Sequence, residues 1–211
     1  MSNTQPARRG RPPATTHEHV IQVARALFHE RGYTNTSLDL IAETVGISRT
    51  ALFSYFRSKA DLIWGEYDAA DARMAEAVQS DWSDLSLPDA IEAIMRRVLD
   101  FSDEEHAGIA QRWEIIEQAP ELTGEATARV EAQRTLMAEF IARRCGLDPT
   151  DFLPSVVSRA VYAASLAGSR YWARQGQVDT HMVDTAMQAI RPVLNGFAEQ
   201  LTAHDQQARG H

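Results

Sequence analysis

Apolar residues recur at intervals of three and four positions along almost the whole chain, which is the spacing of one face of an α-helix. The first helix is predicted to begin at Thr15, which forms a capping box with Glu18, and to end before Gly32. Later helices are predicted near residues 37–45, 48–57, 58–78, 88–101, 104–118, 122–145, 152–175 and 179–203, with stops at Pro120, Gly146 and Gly176. No stretch of useful length alternates as a β-strand would, so the predicted fold class is all-α.

The second and third predicted helices are short and are separated only by a tight turn at Gly46, which is the helix-turn-helix arrangement. Ser48 is a candidate N-cap for the third helix. The apolar residues Leu52, Phe53 and Phe56 of this helix are expected to face inward. Its polar residues then fall on other faces, close to the start of the helix.

A helix that lies in the major groove of DNA needs an inner face fixed to its domain and an outer face that offers donors to bases and phosphates. Arg49 can donate to both O6 and N7 of a guanine, whereas Tyr55 and Lys59 are better placed for phosphates. The residues predicted to contact DNA are Thr36, Ser37, Ser48, Arg49, Thr50, Ser54, Tyr55 and Lys59. The alternative is an ordinary polar surface, on which Ser48 and either Thr36 or Ser37 serve only as helix caps.

Charge is distributed unevenly along the chain. The net charge is −8, yet residues 1–61 carry eight basic against five acidic side chains, a balance of +3 that leaves −11 for the rest. A basic first segment on an acidic body indicates that the first segment meets an anion. Residues 1–14 are predicted to form a disordered arm, in which Arg8 and Arg11 suit a narrow minor groove. The alternative for this arm is a tail without a fixed role.

Residues 21–62 resemble the N-terminal domain of the TetR family of bacterial transcriptional regulators. The matching residues, in groups at fixed spacing, are Ala24, Leu27, Phe28, Gly32 and Tyr33; Thr36, Ser37, Ile41 and Ala42; Gly46, Ile47 and Ser48; and Tyr55, Phe56, Lys59 and Leu62. The chain departs from the family at Phe53, where a tyrosine hydroxyl often reaches a phosphate, so Tyr55 is the expected phosphate partner. The resemblance implies a repressor that binds a pseudo-palindromic double-stranded DNA operator.

The resemblance also implies that the acidic C-terminal region dimerises and senses a ligand. Family members typically pair their last two helices, which places the homodimer contact around Ala160, Ala164, Gly168, Ile190, Leu194 and Phe197. They usually hold a small-molecule pocket among the middle helices, for which the candidate lining residues are Met95, Leu99, Trp113, Ile116, Met137, Phe140, Tyr162 and Trp172. Such a lining predicts a mostly apolar effector, with Arg112 and Glu117 exposed beside it. For both sets, packing within the core of one chain is the alternative.

Two stretches, residues 58–70 and 112–146, resemble an actinobacterial subgroup of the family that is associated with mycofactocin genes. That likeness implies a long-chain acyl-CoA or a similar lipid-like molecule as the effector.

Catalysis is not expected of this chain. The histidines show no metal-binding spacing, no glycine-rich phosphate loop precedes a helix, and no nucleophile is paired with a base, so neither a metal nor a cofactor is expected. The single cysteine, Cys145, excludes an internal disulfide. It follows Arg143 and Arg144, which would lower the pKa of a redox-sensing thiol, and an inert buried thiol is the alternative.

No apolar run approaches the roughly 18 residues that a membrane span requires, and the first residues lack the apolar segment of a secretory signal. A cytoplasmic protein without a membrane partner is therefore expected. The predicted division is an arm at 1–14, a helix-turn-helix domain at 15–62 and an effector-binding and dimerisation domain at 63–211. The alternative function is a ligand-independent DNA-binding dimer that acts architecturally or through a protein partner, which a solid core near Trp113, Phe140 and Tyr162 would favour.

Overall fold

The computed structural model describes residues 17–101, 103–175 and 181–210, without the side chains of residues 65–69, 103–107 and 110. Within these ranges all regular secondary structure is helical, which confirms the all-α prediction. The helices are α1 (His17–Arg31), α2 (Leu38–Val45), α3 (Arg49–Tyr55), α4 (Asp61–Ala77), α5 (Leu87–Val98), α6 (Asp103–Gln118), α7 (Pro120–Cys145), α8 (Phe152–Arg174) and α9 (Met182–Arg209). Thr15, Arg8 and Arg11 lie outside the described residues, as does Gly176.

The chain divides into two compact units, Met1–Ile63 and Trp64–His211. In the first unit, α2 and α3 are joined by a turn at Gly46, whose φ of 80° lies in the left-handed region. The backbone N–H of Gly46 donates to the carbonyl of Ala42 at 3.0 Å and so closes α2. Because a glycine adopts this φ without a steric penalty, α3 can start after only three intervening residues.

Several helix boundaries differ by a few residues from the sequence-based prediction, and two of these differences have a clear physical reason. Pro120 was expected to lie between two helices, but it is the first residue of α7, where a missing backbone N–H costs nothing. The last helix was expected to end near residue 203, because its apolar stripe stops at Leu201, but α9 continues to Arg209. The extra turns are held by polar contacts, since Arg209 donates to the carbonyls of Ser83 and Leu85 at 2.8 and 3.2 Å.

The core of the second unit is formed by the C-terminal part of α4 and by α5, α7, α8 and α9 around fully buried side chains such as Ile94, Met137 and Val157. The longest helix contact is between α8 and α9. The two backbones approach closely at Gly168, where a Cβ atom would lie 2.7 Å from the Cα of Ala186. A side chain at position 168 would therefore force the helices apart.

The predicted dimer contacts need a correction. Ile190 and Leu194 are buried in the core of the same chain, and Gly168 faces α9 of that chain rather than a second copy. The physical reason is that α8 and α9 need a small-residue seam and an apolar stripe to pack against each other. Among the predicted dimer residues, only Ala160, Ala164 and Phe197 retain partial exposure.

A buried ion pair joins the C-terminal ends of α7 and α9. Arg144 donates from Nε and Nη2 to the two carboxylate oxygens of Asp205 at 2.8 and 2.9 Å, and it also donates to the carbonyls of Trp82 and Leu85. Burial alone would raise the pKa of Asp205, but hydrogen bonds from Arg144 and Arg209 outweigh it and lower this pKa. The pair therefore stabilises the fold above the unfolded-state pKa of Asp, and this stabilisation is lost as the pH falls through the lower folded-state pKa.

Gly168→Ala should lower the free energy of unfolding by about 1–3 kcal/mol, which is typical of overpacking against a backbone that cannot move aside. The measurement is urea unfolding followed by circular dichroism at 222 nm. Gly124→Ala is the matched control, because a Cβ at Gly124 meets no atom within 4 Å. That variant should gain up to about 1 kcal/mol from helix propensity. Equal stability of the two variants would contradict the close packing of α8 on α9.

Candidate functional sites

Helix α3 has one buried face and one exposed face. Leu52 is buried within the first unit, and Phe56, at the C-cap, is buried as well. Arg49, Thr50 and Ser54 are exposed, and Tyr55 is 44% exposed beside them. The structure therefore brings together a set of outward donors on a helix that is fixed from below, as a major-groove reading helix requires.

Phe53 departs from the prediction that it faces inward. Its side chain is 40% exposed, and the guanidinium of Arg49 lies over its ring at 5.4 Å from the centroid. Phe53 follows Arg49 by four positions, so both lie on the same outward side of α3. The ring is thus a support for Arg49 and not part of the core.

Arg49 is also bound by α2. Its Nη1 donates to both carboxylate oxygens of Asp39, at 3.0 and 2.9 Å, and both side chains are more than half exposed. Within the described residues, its Nε and Nη2 make no hydrogen bond. The sequence-based interpretation missed Asp39, although the residue stands in the first turn of α2, ten positions before Arg49.

The two predicted helix caps are present. Ser37 accepts from the N–H of Leu40 and Ser48 accepts from the N–H of Ala51, each at 3.1 Å. Both serines cap a helix and are exposed to solvent at its N-terminal end. The hydroxyl of Ser54 donates to the carbonyl of Ala51 at 2.6 Å.

Thr36 and Lys59 were predicted to contact DNA, but their side chains point into the first unit. Thr36 is fully buried, and its hydroxyl donates to the carbonyls of Leu27 and Gly32. The ammonium of Lys59 donates to the carbonyls of Tyr33 and Thr36 at 2.8 and 3.2 Å, and it lies 4.0 Å from the centre of the Tyr33 ring. Both side chains therefore fasten the turn between α1 and α2, which explains their place in the motif without a phosphate contact.

A small cavity of about 70 Å³, partly open to solvent, lies in the second unit among helices α4 to α9. Four of the predicted lining residues do line it: Met95, Leu99, Trp113 and Tyr162. The other four, Ile116, Met137, Phe140 and Trp172, are buried but lie outside this lining. Helical spacing identifies an apolar face but does not decide whether that face meets a cavity or another helix, which is why the prediction separated the two poorly.

The cavity has a polar side that the sequence-based interpretation missed. Arg112, expected to be exposed, is only 3% exposed and lines the cavity together with Gln133, Ser165 and Ser169. Ser165 and Ser169 follow Tyr162 at helical spacing on α8, which is the signal that could have identified them. Gln133 donates to the carboxylate of Asp71 on α4.

The hydroxyl of Tyr162 is the cavity's most informative polar group. Tyr162 is 5% exposed, and its oxygen makes no hydrogen bond within the described residues. Burial, and secondarily the negative charge of Asp71, raise the pKa of this hydroxyl well above its ordinary value. It is therefore a protonated donor in the lining of the cavity, where a ligand oxygen would satisfy it.

Cys145 does not have the properties of a redox-sensing thiol. The side chain is buried, and its pKa is raised to about 11 by burial first and by the charge of Asp205 second. Arg144 lowers the pKa only in part, because its guanidinium is bound to Asp205. The thiol stays protonated near neutral pH and is inert.

Among the side chains that the structure describes, no group of three His, Cys, Asp or Glu residues could hold a metal ion. None of the helices, over their described residues, combines the length and apolar character needed to cross a membrane.

Comparison with known proteins agrees with this geometry. The family model for bacterial regulatory proteins of the tetR family matches residues 20–63, and the model for the MftR C-terminal domain matches residues 85–195. A protein of Mycobacterium tuberculosis named as a mycofactocin biosynthesis transcriptional regulator, MftR, is 33% identical over 172 residues, covering 82% of this chain and 87% of its own.

Solved structures show the same fold. NalD of Pseudomonas aeruginosa, the secondary repressor of the MexAB-OprM multidrug efflux pump, has a TM-score of 0.61 at 23% identity and covers 85% of this chain and 95% of its own. SmeT in complex with triclosan also has a TM-score of 0.61, at 20% identity, and covers 85% of this chain and 90% of its own.

The helix-turn-helix of α2 and α3, together with the helical second unit, defines a DNA-binding transcriptional regulator rather than an enzyme. The chain belongs to the TetR family of bacterial transcriptional regulators, and its C-terminal domain is of the MftR type.

Lys59→Met should destabilise the first unit by about 1–2 kcal/mol, because the carbonyls of Tyr33 and Thr36 lose a charged donor. Thermal unfolding followed by circular dichroism measures this loss. Arg57→Met, a change at a neighbouring exposed position, is the control and should leave the melting temperature nearly unchanged. Unchanged stability of Lys59→Met, together with weaker salt dependence of DNA binding, would instead restore Lys59 as a phosphate contact.

Proposed function

We propose that this regulator is a repressor that binds a pseudo-palindromic operator as a homodimer and is released by a mostly apolar small-molecule effector. The observation that carries the DNA-binding half is the exposed face of α3, with Arg49, Thr50, Ser54 and Tyr55 outward over the buried Leu52. Repression is typical of the family and is the named role of NalD. Since the target is DNA, the proposal includes a cytoplasmic location.

The homodimer is proposed to form through the outer face of α8 together with α9. An exposed or partly exposed stripe runs along α8 at steps of three and four, consisting of Phe152, Val156, Ala160, Ala163, Ala167 and Tyr171. Phe152 and Tyr171 are 77% and 61% exposed, which is unusual for large apolar side chains at the two ends of one helix face. On α9, a Cβ at Gly196 would meet no atom within 4 Å, and Phe197 is partly exposed next to it. These surfaces suit a helix pair from a second copy.

The cavity supports the effector half of the proposal. Its walls are mainly apolar, and the buried hydroxyl of Tyr162 offers one donor, so the ligand should be an apolar molecule that carries a hydrogen-bond acceptor. Ala70 of α4 is part of the lining, and α4 starts at Asp61 in the DNA-binding unit. A ligand that binds the DNA-free state of the protein better than the DNA-binding state shifts the equilibrium toward the former, by no more than the difference in affinity.

A long-chain acyl-CoA fits this chemistry in part, and we propose it as the effector class. The acyl chain suits the apolar walls, and its thioester carbonyl can accept from the hydroxyl of Tyr162. The polyanionic nucleotide of coenzyme A is unsuited to a mainly apolar cavity whose lining includes a single cation, Arg112, because burying several charges with too few partners is costly. It should therefore remain outside, at the open side of the cavity.

Selection from a randomised duplex library tests the DNA-binding half. The wild-type protein should enrich a motif with two related half-sites about 10 base pairs apart or a multiple of that spacing. Arg49→Ala should lose the preference for a guanine at one position of each half-site, equivalent to about 1–3 kcal/mol. Anisotropy with the selected duplex then measures each affinity across a salt series. Failure of the wild-type protein to enrich any motif would refute sequence-specific binding.

Release of the selected duplex by palmitoyl-CoA, below its micellar concentration, tests the effector half. Palmitate and coenzyme A alone are the matched controls for the two parts of the molecule. Tyr162→Phe should bind the duplex as wild type does, but it should require about 5- to 10-fold more palmitoyl-CoA for release, because one hydrogen bond is lost. If palmitoyl-CoA leaves the wild-type complex intact, acyl-CoA is not the effector class.

A further inference from the structure

Asp39 is an acidic side chain on a surface that has to approach polyanionic DNA, and its position needs an explanation. Next to phosphates a carboxylate repels DNA, so it weakens binding unless a cation neutralises it. Both Asp39 and Arg49 are more than half exposed, and exposed ion pairs add little to folding stability. The dipole of α2 favours a carboxylate in its first turn, but it does not explain why this carboxylate binds Arg49, and stability of the first unit is a poor reason for the pair.

The geometry around Arg49 supplies a better reason. Asp39 accepts only from Nη1, through both of its oxygens, and Phe53 supports one face of the guanidinium. The Nε and Nη2 atoms form the opposite edge of the same planar group, and their two N–H bonds are parallel. That edge matches O6 and N7 of guanine, which accept a pair of parallel hydrogen bonds.

We propose that Asp39 is a positioning residue for DNA reading. Its carboxylate stays bound to Nη1 of Arg49 and thereby orients the Nε–Nη2 edge of the guanidinium toward a guanine. This inference rests on the proposed reading of DNA by α3. If Arg49 left Asp39 in order to reach a base, the carboxylate would stand unneutralised beside the phosphates. Retaining the pair avoids that repulsion and fixes the orientation of an otherwise flexible side chain. Asp39 thus increases specificity while it lowers general affinity for DNA.

The proposal makes a prediction that a structural role for Asp39 would not. Asp39→Asn should bind a scrambled duplex more tightly than wild type, because a negative charge is gone. The same variant should lose at least about threefold of the guanine preference, out of the roughly 5- to 150-fold that a bidentate arginine contact provides. Higher affinity and lower specificity would thus appear in one variant.

The experiment uses the full-length chain and the duplex selected by the wild-type protein. Anisotropy titrations compare that duplex with one whose Arg49-dependent guanine is replaced by adenine, and with a scrambled duplex. Glu43→Gln is the matched control, since it removes the same charge from the same helix one turn further on, from an exposed residue that makes no ion pair with Arg49 among those described. Melting temperatures of all variants identify any loss of folding. A partly unfolded variant would have both affinities reduced equally, so the ratio of its affinities for two duplexes would not change.

The double variant Asp39→Asn with Arg49→Ala completes the test. If Asp39 acts through Arg49, the added Asp39→Asn change should not alter the guanine preference of Arg49→Ala. A guanine preference that survives Asp39→Asn unchanged, or one that falls equally in Glu43→Gln, overturns the proposal. If Arg49→Ala keeps every base preference of wild type, Arg49 reads no guanine and the proposal is overturned while DNA binding stands. If wild type selects no motif, the proposed function itself fails.

Discussion

The anchoring of α3 from below is the constraint on which the DNA-binding unit depends. A helix of seven residues, Arg49–Tyr55, has too few hydrogen bonds to be stable alone, so its position must come from tertiary packing. Leu52 and Phe56 supply that packing, and Ser48 starts the helix by accepting from a backbone N–H. The side chains between these anchors are then free to point outward. Their donors are useful only because the backbone beneath them does not move.

Buried and partly buried hydrogen bonds in the rest of the first unit maintain this arrangement. The hydroxyl of Thr36 donates to carbonyls of α1 and of the turn that follows it, and Lys59 donates to two carbonyls of that turn, so both fix where α2 begins. Asp39 then lies in the first turn of α2, where a carboxylate is favoured by the helix dipole and can also reach Arg49. The second unit has the opposite design. Its cavity preserves space within a core that is otherwise closely packed.

Much of the fold could be predicted from the sequence because its signals are local. Glycines at helix ends, serines at helix starts and apolar residues at helical spacing each act within one or two turns, so the predicted helices match the observed ones closely. What could not be predicted depends on the direction of long side chains and on which partner meets an apolar face. Lys59 and Arg112 carry charges that usually face solvent, yet tertiary contacts turn both inward. Gly168 has the residue type of a dimer interface and Phe140 that of an effector pocket. In the structure Gly168 packs against α9 of the same chain and Phe140 lies in the core, and both contacts involve residues distant in sequence.

We propose that α3 reads DNA in the major groove with its outer face. The most direct measurement is a crystal structure of the protein bound to its selected duplex. If α3 reads DNA in this way, the complex should contain two protomers on the duplex, with their α3 helices in major grooves about 34 Å apart or a multiple of that distance. Nε and Nη2 of Arg49 should each lie about 3 Å from an acceptor of one guanine. A complex in which α3 lies outside the groove, with DNA held by other residues, would show that α3 is not the DNA-reading helix.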